Sequence, residues 1–246
     1  MTQFAWPNGK RGALSLSFDD ARLTQIDRGI PLLDAHGAKA TFYVSLGAMD
    51  KRLDGWRHAV ANGHEIGNHT VNHPCSCNFG FSKDLYLEAY SLERMEEELT
   101  QANDAIHERV GARPTTFAFP CGQKFVGRGE GVQSYVPLVA RHFLAGRGFR
   151  DEAGNDPAMC DLAQLYGVDA DCQTFEQLKP WIDTALRDGR WLIFASHEVG
   201  DMKRQTMLAE TLEQICRFAA DPGNGLWLDT VANIGVYVRD KRTNTN

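Results

Sequence analysis

No stretch of the 246-residue chain approaches the roughly 20 consecutive apolar residues of a membrane-spanning helix, although 43% of its residues are hydrophobic. The apolar content is therefore dispersed as core-forming segments. An excess of basic charge is also missing: the net charge is −6, which leaves no electrostatic footprint for nucleic acid. Residues 1–11 contain no apolar signal-peptide core, so a cytoplasmic protein is expected. No second C-x-x-C accompanies Cys75-Ser76-Cys77, so a structural zinc shell is not completed there. Without a secretion signal, the 6 cysteines are read as reduced thiols, and the C-x-C as an ordinary loop. Internal repeats, low-complexity tracts and linkers are absent, which gives a single domain over residues 1–246. The glycine-rich segment 122–131 matches neither phosphate-binding pattern and reads as a loop that could shape a substrate site.

What is present is an alternation of short apolar runs with amphipathic stretches. Strands are expected at 13–18, 40–44, 64–68, 115–119, 163–168 and 191–195, and residues 226–230 with the segment after them end the core. Helices are expected at 26–35, 56–62, 85–110, 135–143, 175–188 and 207–219, several closed by glycine. This order predicts an α/β fold with parallel strands and crossover helices, of the (β/α) barrel kind.

Several strand ends carry polar residues. Leu14-Ser15-Leu16-Ser17-Phe18 runs into Asp19-Asp20, residues 64–68 lead into His69-Thr70-Val71-Asn72-His73, residues 115–119 precede Pro120-Cys121-Gly122, and Trp191-Leu192-Ile193-Phe194-Ala195-Ser196 ends at His197. In a parallel barrel all these ends open on one face, where active sites form. On a helix, the two imidazoles four residues apart would lie on the same side. One carboxylate with two imidazoles makes a three-ligand divalent-metal shell that leaves room for water and substrate. The other carboxylate would take the proton from that water. Blander readings remain: Asp19-Asp20 as a helix N-cap pair, His197 as an ordinary core histidine, and Cys121 as a lone thiol with no nucleophile signature.

The chain resembles the polysaccharide deacetylases of carbohydrate esterase family 4. The family's T-F-D-D-G corresponds to Ser17-Phe18-Asp19-Asp20-Ala21, its H-[ST]-x-x-H to His69-Thr70-Val71-Asn72-His73 after Gly63-His64-Glu65-Ile66-Gly67-Asn68, and its L-x-H to Ala195-Ser196-His197. The resemblance implies a distorted (β/α) barrel, often of seven parallel strands, that hydrolyses acetyl groups from an N- or O-acetylated carbohydrate. It also implies Asp19 as general base, Asp20, His69 and His73 as metal ligands, and His197 as general acid. The ion would be Zn2+, with Co2+ or Ni2+ as alternatives.

Two departures stand out. The family's R-x-P-[YW] reads Ala118-Phe119-Pro120-Cys121 here, so the arginine that orients the base is absent. Cys121 replaces the aromatic whose backbone N–H binds the oxyanion, a donor that survives a side-chain change. Arg147, in Ala145-Gly146-Arg147-Gly148-Phe149, is the candidate replacement for the arginine. Asp169 is favoured over Asp171 as the carboxylate beside the acid histidine. Pro120, Arg147 and Asp169 are thus assigned to the substrate side. A non-sugar amidase, a metal-dependent lyase or isomerase and a non-catalytic carbohydrate-binding barrel are the alternatives, and the oligomeric state is open.

Overall fold

β1 (Gly12–Asp19) is buried along its whole length, serines included. Its even positions, Leu14, Leu16 and Phe18, pack outward into the largest apolar cluster. Its odd positions face the other way, where Ser17 Oγ donates to the Phe194 carbonyl at 2.8 Å and Ser15 Oγ accepts from Trp191 Nε1 at 3.1 Å. A strand with both faces buried needs its polar residues paired, and the alternating Leu/Ser pattern supplies a helix-facing side and a barrel-facing side.

The computed structural model describes residues 4–81, 85–201 and 204–243. The remaining strands of the main sheet are β2 (Thr41–Val44), β3 (Glu65–Asn68), β4 (Thr116–Ala118), β5 (Ala145–Arg147), β6 (Val168–Asp169), β7 (Trp191–Ser196) and β8 (Leu226–Leu228). Seven follow one another in the order β5-β4-β3-β2-β1-β7-β6, β8 pairs with the start of β1, and every pairing is parallel. This is the distorted (β/α) barrel expected. The register places Asp19 beside Tyr43, Tyr43 beside Gly67, and Ala118 beside Arg147, so the strand ends lie at one level.

Around the sheet run α1 (Ile30–Ala35), α2 (Leu53–Ala61), α3 (Leu92–Val110), α4 (Val136–His142), α5 (Phe175–Asp188), α6 (Ala209–Ala220) and α7 (Val231–Thr243). α5 matches its expected span: Thr174 and Gln177 form a reciprocal capping box, and Gly189 ends the helix in the left-handed region. α3 starts later than expected. Ser91 caps it by accepting from the Arg94 N–H, and residues 87–89 form a separate 3-10 turn that turns Leu87 and Tyr90 into a second apolar cluster.

The expected strand over 163–168 is not one. Asp161 caps a 3-10 turn at Leu162–Gln164, and only Val168–Asp169 pairs with β7. Between them, Leu165 exchanges backbone hydrogen bonds of 2.7 Å with Gly146 and Gly148 around β5. This segment thus steps from β5 to β6 and spans the gap in the barrel. Gly167 permits the step, because a Cβ there would lie 2.4 Å from the Gly148 carbonyl oxygen. β5 and α7 were not foreseen. β5 has three residues flanked by short loops, and the segment that ends the core is the short strand β8 followed by the helix α7.

Candidate active site

Odd positions of β1, β2, β3, β5 and β7 share the barrel interior, which delivers Asp19, Tyr43, His69, Arg147 and His197 to one end of it. There they line or underlie a cleft of about 570 Å³ bordered by Asp19, His69, His73, Cys121, Phe149, Asp169, Asp171 and His197, among others.

Immediately after β1 the chain turns sharply: Asp20 (φ 75°) and Ala21 (φ 53°) are both left-handed. That turn aims the two carboxylates apart. Asp20 Oδ1 lies 3.8 Å from His69 Nε2 and 3.6 Å from His73 Nε2. One ligand atom from each of the three residues falls within 4.8 Å of the others, a span that a single divalent ion can bridge. His69 Nδ1 donates to the Ala118 carbonyl at 2.9 Å, which leaves Nε2 with its lone pair toward Asp20, the arrangement metal-ligating histidines adopt. Burial pushes the His69 imidazole down to about 4, so the ring is neutral and able to ligate. Burial works to raise the Asp20 pKa, but His69, His73 and Arg22 outweigh it and hold the carboxyl below its ordinary value. The donor set fits a divalent ion.

The His69–His73 segment is a loop, not the helical turn that its spacing allowed. Thr70 (φ 65°) and His73 (φ 50°) are left-handed, and side chains replace the missing helix bonds. Asn68 Oδ1 accepts from the Thr70 N–H at 2.8 Å, and Thr70 Oγ1 accepts from the His73 N–H at 2.9 Å. Glu98, buried on α3, accepts from the Val71 and Asn72 N–H groups (2.9 Å each), from Asn72 Nδ2 (2.7 Å) and from the Tyr90 hydroxyl (2.9 Å). Asn68 Nδ2 donates to Asn103 Oδ1 and the Leu99 carbonyl, both at 2.8 Å. Glu98 and Asn103 were not singled out from sequence, yet a signal exists. Both sit within the buried stripe Met95, Leu99, Ala102, Ile106, where a polar residue requires a partner.

On the other side of the cleft, Asp19 Oδ1 accepts a short hydrogen bond from Arg147 Nη2, and Nη1 donates to the Gly148 carbonyl at 2.9 Å. Arg147 is fully buried, with its guanidinium 5.0 Å above the Tyr43 ring. It occupies the place of partner to the first aspartate, reached from β5 because position 118 is alanine. His197 Nδ1 donates to Asp171 Oδ2 at 2.8 Å, and Ser196 Oγ donates to Asp171 Oδ1 at 2.6 Å. Burial lowers the His197 pKa, but the bond to Asp171 and the charges of Asp19, Asp171 and Asp20 overcome it and raise the pKa above its ordinary value. Gln25 joins the two sides from below, donating to the Asp19 and His197 carbonyls at 2.6 and 2.8 Å.

Three expectations are corrected. Asp171, not Asp169, partners His197. Asp169 pairs with Arg150 and accepts from the Asp171 N–H at 3.0 Å, and the chain turns at Asp171–Cys172, where Cys172 is left-handed (φ 59°). Pro120 is buried and is not part of the cleft wall; its neighbour Cys121 is. Nor are all cysteines thiols: Cys75 and Cys121, 46 residues apart, form a disulfide with a Cα–Cα distance of 6.1 Å. Only the folded proximity of the two loops brings them together. Cys77, Cys160, Cys172 and Cys216 are free.

A family model described as polysaccharide deacetylase matches residues 7–127. That span holds Asp19, Asp20, His69, His73 and Cys121, and ends before Arg147, Asp171 and His197. A gellan lyase of Bacillus sp is 30% identical over 143 residues, which is 58% of this chain and 5% of that protein. The chain spans between 5% and 27% of the length of the first curated relatives it matches. A Mycobacterium smegmatis structure named for the same family superposes with a TM-score of 0.72 over 98% of this chain and 95% of that one, at 16% identity. A family 4 acetyl xylan esterase from Clostridium thermocellum, solved with a cobalt ion, gives 0.60 over 92% and 91%, at 20% identity. At these identities the two structures speak for the fold alone.

Proposed function

The chain belongs to the polysaccharide deacetylase family, and from that premise we propose that it is a metal-dependent hydrolase that removes an acetyl group from a carbohydrate. The observation that carries the proposal is the convergence at one cleft of a three-residue donor set, a buried Asp–Arg pair and a His–Asp pair.

Asp20, His69 and His73 would hold the divalent ion. Bound there, the ion supplies Lewis-acid chemistry, lowering the pKa of water and polarising the acetyl carbonyl. Asp19 takes the proton of the attacking water. Arg147 pairs with that carboxylate and aims it, in an interior where an unpaired charge would be costly. The Cys121 backbone N–H is assigned to the oxygen on which negative charge develops. His197, protonated and oriented by Asp171, gives its proton to the departing sugar nitrogen or oxygen. Phe149 packs edge-on against the His197 ring with centroids 5.6 Å apart and fixes its tilt.

The test is acetate release from a panel of N-acetylated oligosaccharides, O-acetylated xylan fragments and small cyclic and linear amides, with Zn2+ or Co2+ supplied. Turnover of acetylated sugars alone supports the reading. Hydrolysis confined to the non-sugar amides would replace it with an amidase on the same scaffold.

A further inference from the structure

The Cys75–Cys121 disulfide touches the catalytic donor set. Cys75 Sγ lies 3.7 Å from His73 Nδ1, while Nε2 of the same ring faces Asp20 at 3.6 Å. His73, Cys75 and Cys121 form a second group whose ligand atoms fall within 4.8 Å of one another. We propose that reduction of this disulfide creates a second, thiolate-rich metal site made of Cys75, Cys121 and His73 Nδ1, which takes a thiophilic divalent ion and withdraws His73 from the first.

The geometry requires little movement. A tetrahedral site with metal–sulfur bonds of about 2.3 Å holds two sulfurs roughly 3.7 Å apart. The 6.1 Å Cα–Cα distance bounds how far the two sulfurs can separate, and side-chain rotation provides the opening. Two thiolates and one imidazole are the donor set that soft and borderline ions prefer over a carboxylate with two imidazoles. The two sites exclude one another because a neutral imidazole has one lone pair and one N–H. An ion on Nδ1 places the proton on Nε2, which then cannot ligate beside Asp20.

The reductant has a path. Cys75 is buried, but Cys121 lines the cleft. One thiolate of a dithiol attacks the Cys121 sulfur, and the Cys75 sulfur leaves with the electron pair as a thiolate. The second thiol of the reductant then displaces Cys121 and closes the reductant's own disulfide. Two electrons pass to the protein, the dithiol's two protons balance the two thiolates, and both protons are released when the ion binds.

The formation of the thiolate site stands independently of the proposed deacetylation; its effect on turnover rests on that reading. The test titrates Cd2+ into oxidised and dithiol-reduced protein, after removal of the reductant, and follows the ultraviolet thiolate-to-cadmium charge-transfer band. The band is expected in the reduced protein and in reduced His69→Ala, whose ring is outside the set. It is expected to be absent from the oxidised protein and from reduced Cys75→Ser/Cys121→Ser, which retains Cys77, Cys160, Cys172 and Cys216 as a background control. The oxidised protein serves as its own control should the double variant fold poorly. In a second arm, acetate release with Zn2+ should fall in the reduced protein as Cd2+ occupies the thiolate site. No band in the reduced protein, or a band undiminished in the double variant, overturns the site. A band without loss of turnover overturns the exclusion, and a band in a protein that turns over no acetylated sugar leaves the site standing and removes the deacetylase reading.

Discussion

The two walls of the cleft are held by different physics. On the metal wall, the His69–His73 loop is suspended from α3 by distributed hydrogen bonds, with Glu98 alone accepting four. On the proton-transfer wall, each working group leans on one buried charge: Asp19 on Arg147, and His197 on Asp171. Distributed support degrades gradually when one bond is lost, whereas a single buried ion pair fails as a unit, because its survivor is left uncompensated. Variants on the proton-transfer wall should therefore lose turnover or stability with metal retained. Variants on the metal wall should lose affinity for the ion and recover when the ion is in excess.

The largest effect expected is from Asp19→Asn. It removes the proposed base but leaves the donor set, so turnover should fall about 10²–10⁴-fold with metal content unchanged. A variant hydrolysing acetylated substrate at the parental rate would show that the base lies elsewhere. Arg147→Met should destabilise the fold by about 3–5 kcal/mol, the cost of stranding a buried partner charge, measurable as a lowered urea midpoint. Arg147→Met combined with Asp19→Asn should regain much of that loss; strict additivity would mean that the pair is not coupled. Glu98→Gln should weaken metal affinity about 10–100-fold, the usual cost of removing support behind a ligand. At saturating metal its turnover should return to the parental level, and a persistent deficit would place Glu98 on the catalytic side of the comparison.

The smallest effect is a shift in pH profile. To act as the proposed acid, His197 must be protonated, and its pKa is raised. Activity should therefore persist above the ordinary histidine value of about 6.5 before falling as pH increases. Asp171→Asn removes the charge that holds the proton, so the alkaline limb should move to lower pH. An unmoved limb would assign that ionisation to another group.

The same contrast explains what could be read in the sequence. Asp19, Asp20 and His197 stand at the ends of long, uniformly buried strands, and His69 and His73 follow a short one in the same chain order as the family's motifs. Such positions are marked by their own neighbours. Their partners are marked only by the fold. Arg147 lies on a three-residue strand between glycines, too short for any periodicity. The choice between Asp169 and Asp171 depends on a turn at Asp171–Cys172 that closely follows a two-residue strand. The Cys75–Cys121 pairing depends on two loops meeting across the barrel mouth. Glu98 sits among Glu93, Glu96 and Glu97, and only its place in the buried stripe of α3 separates it from the solvated ones. Of the fold, the parallel alternation and α5 were legible. The step that spans the barrel gap was not, because Leu165 pairs as an isolated bridge.

The claim on which the rest depends is that Asp20, His69 and His73 grip one ion, and the direct test is elemental analysis of disulfide-intact protein after loading and exhaustive dialysis. About one ion per chain is expected for the parent and for Asp19→Asn, and none for Asp20→Ala or His69→Ala. Metal retained by His69→Ala at the parental stoichiometry would contradict the account.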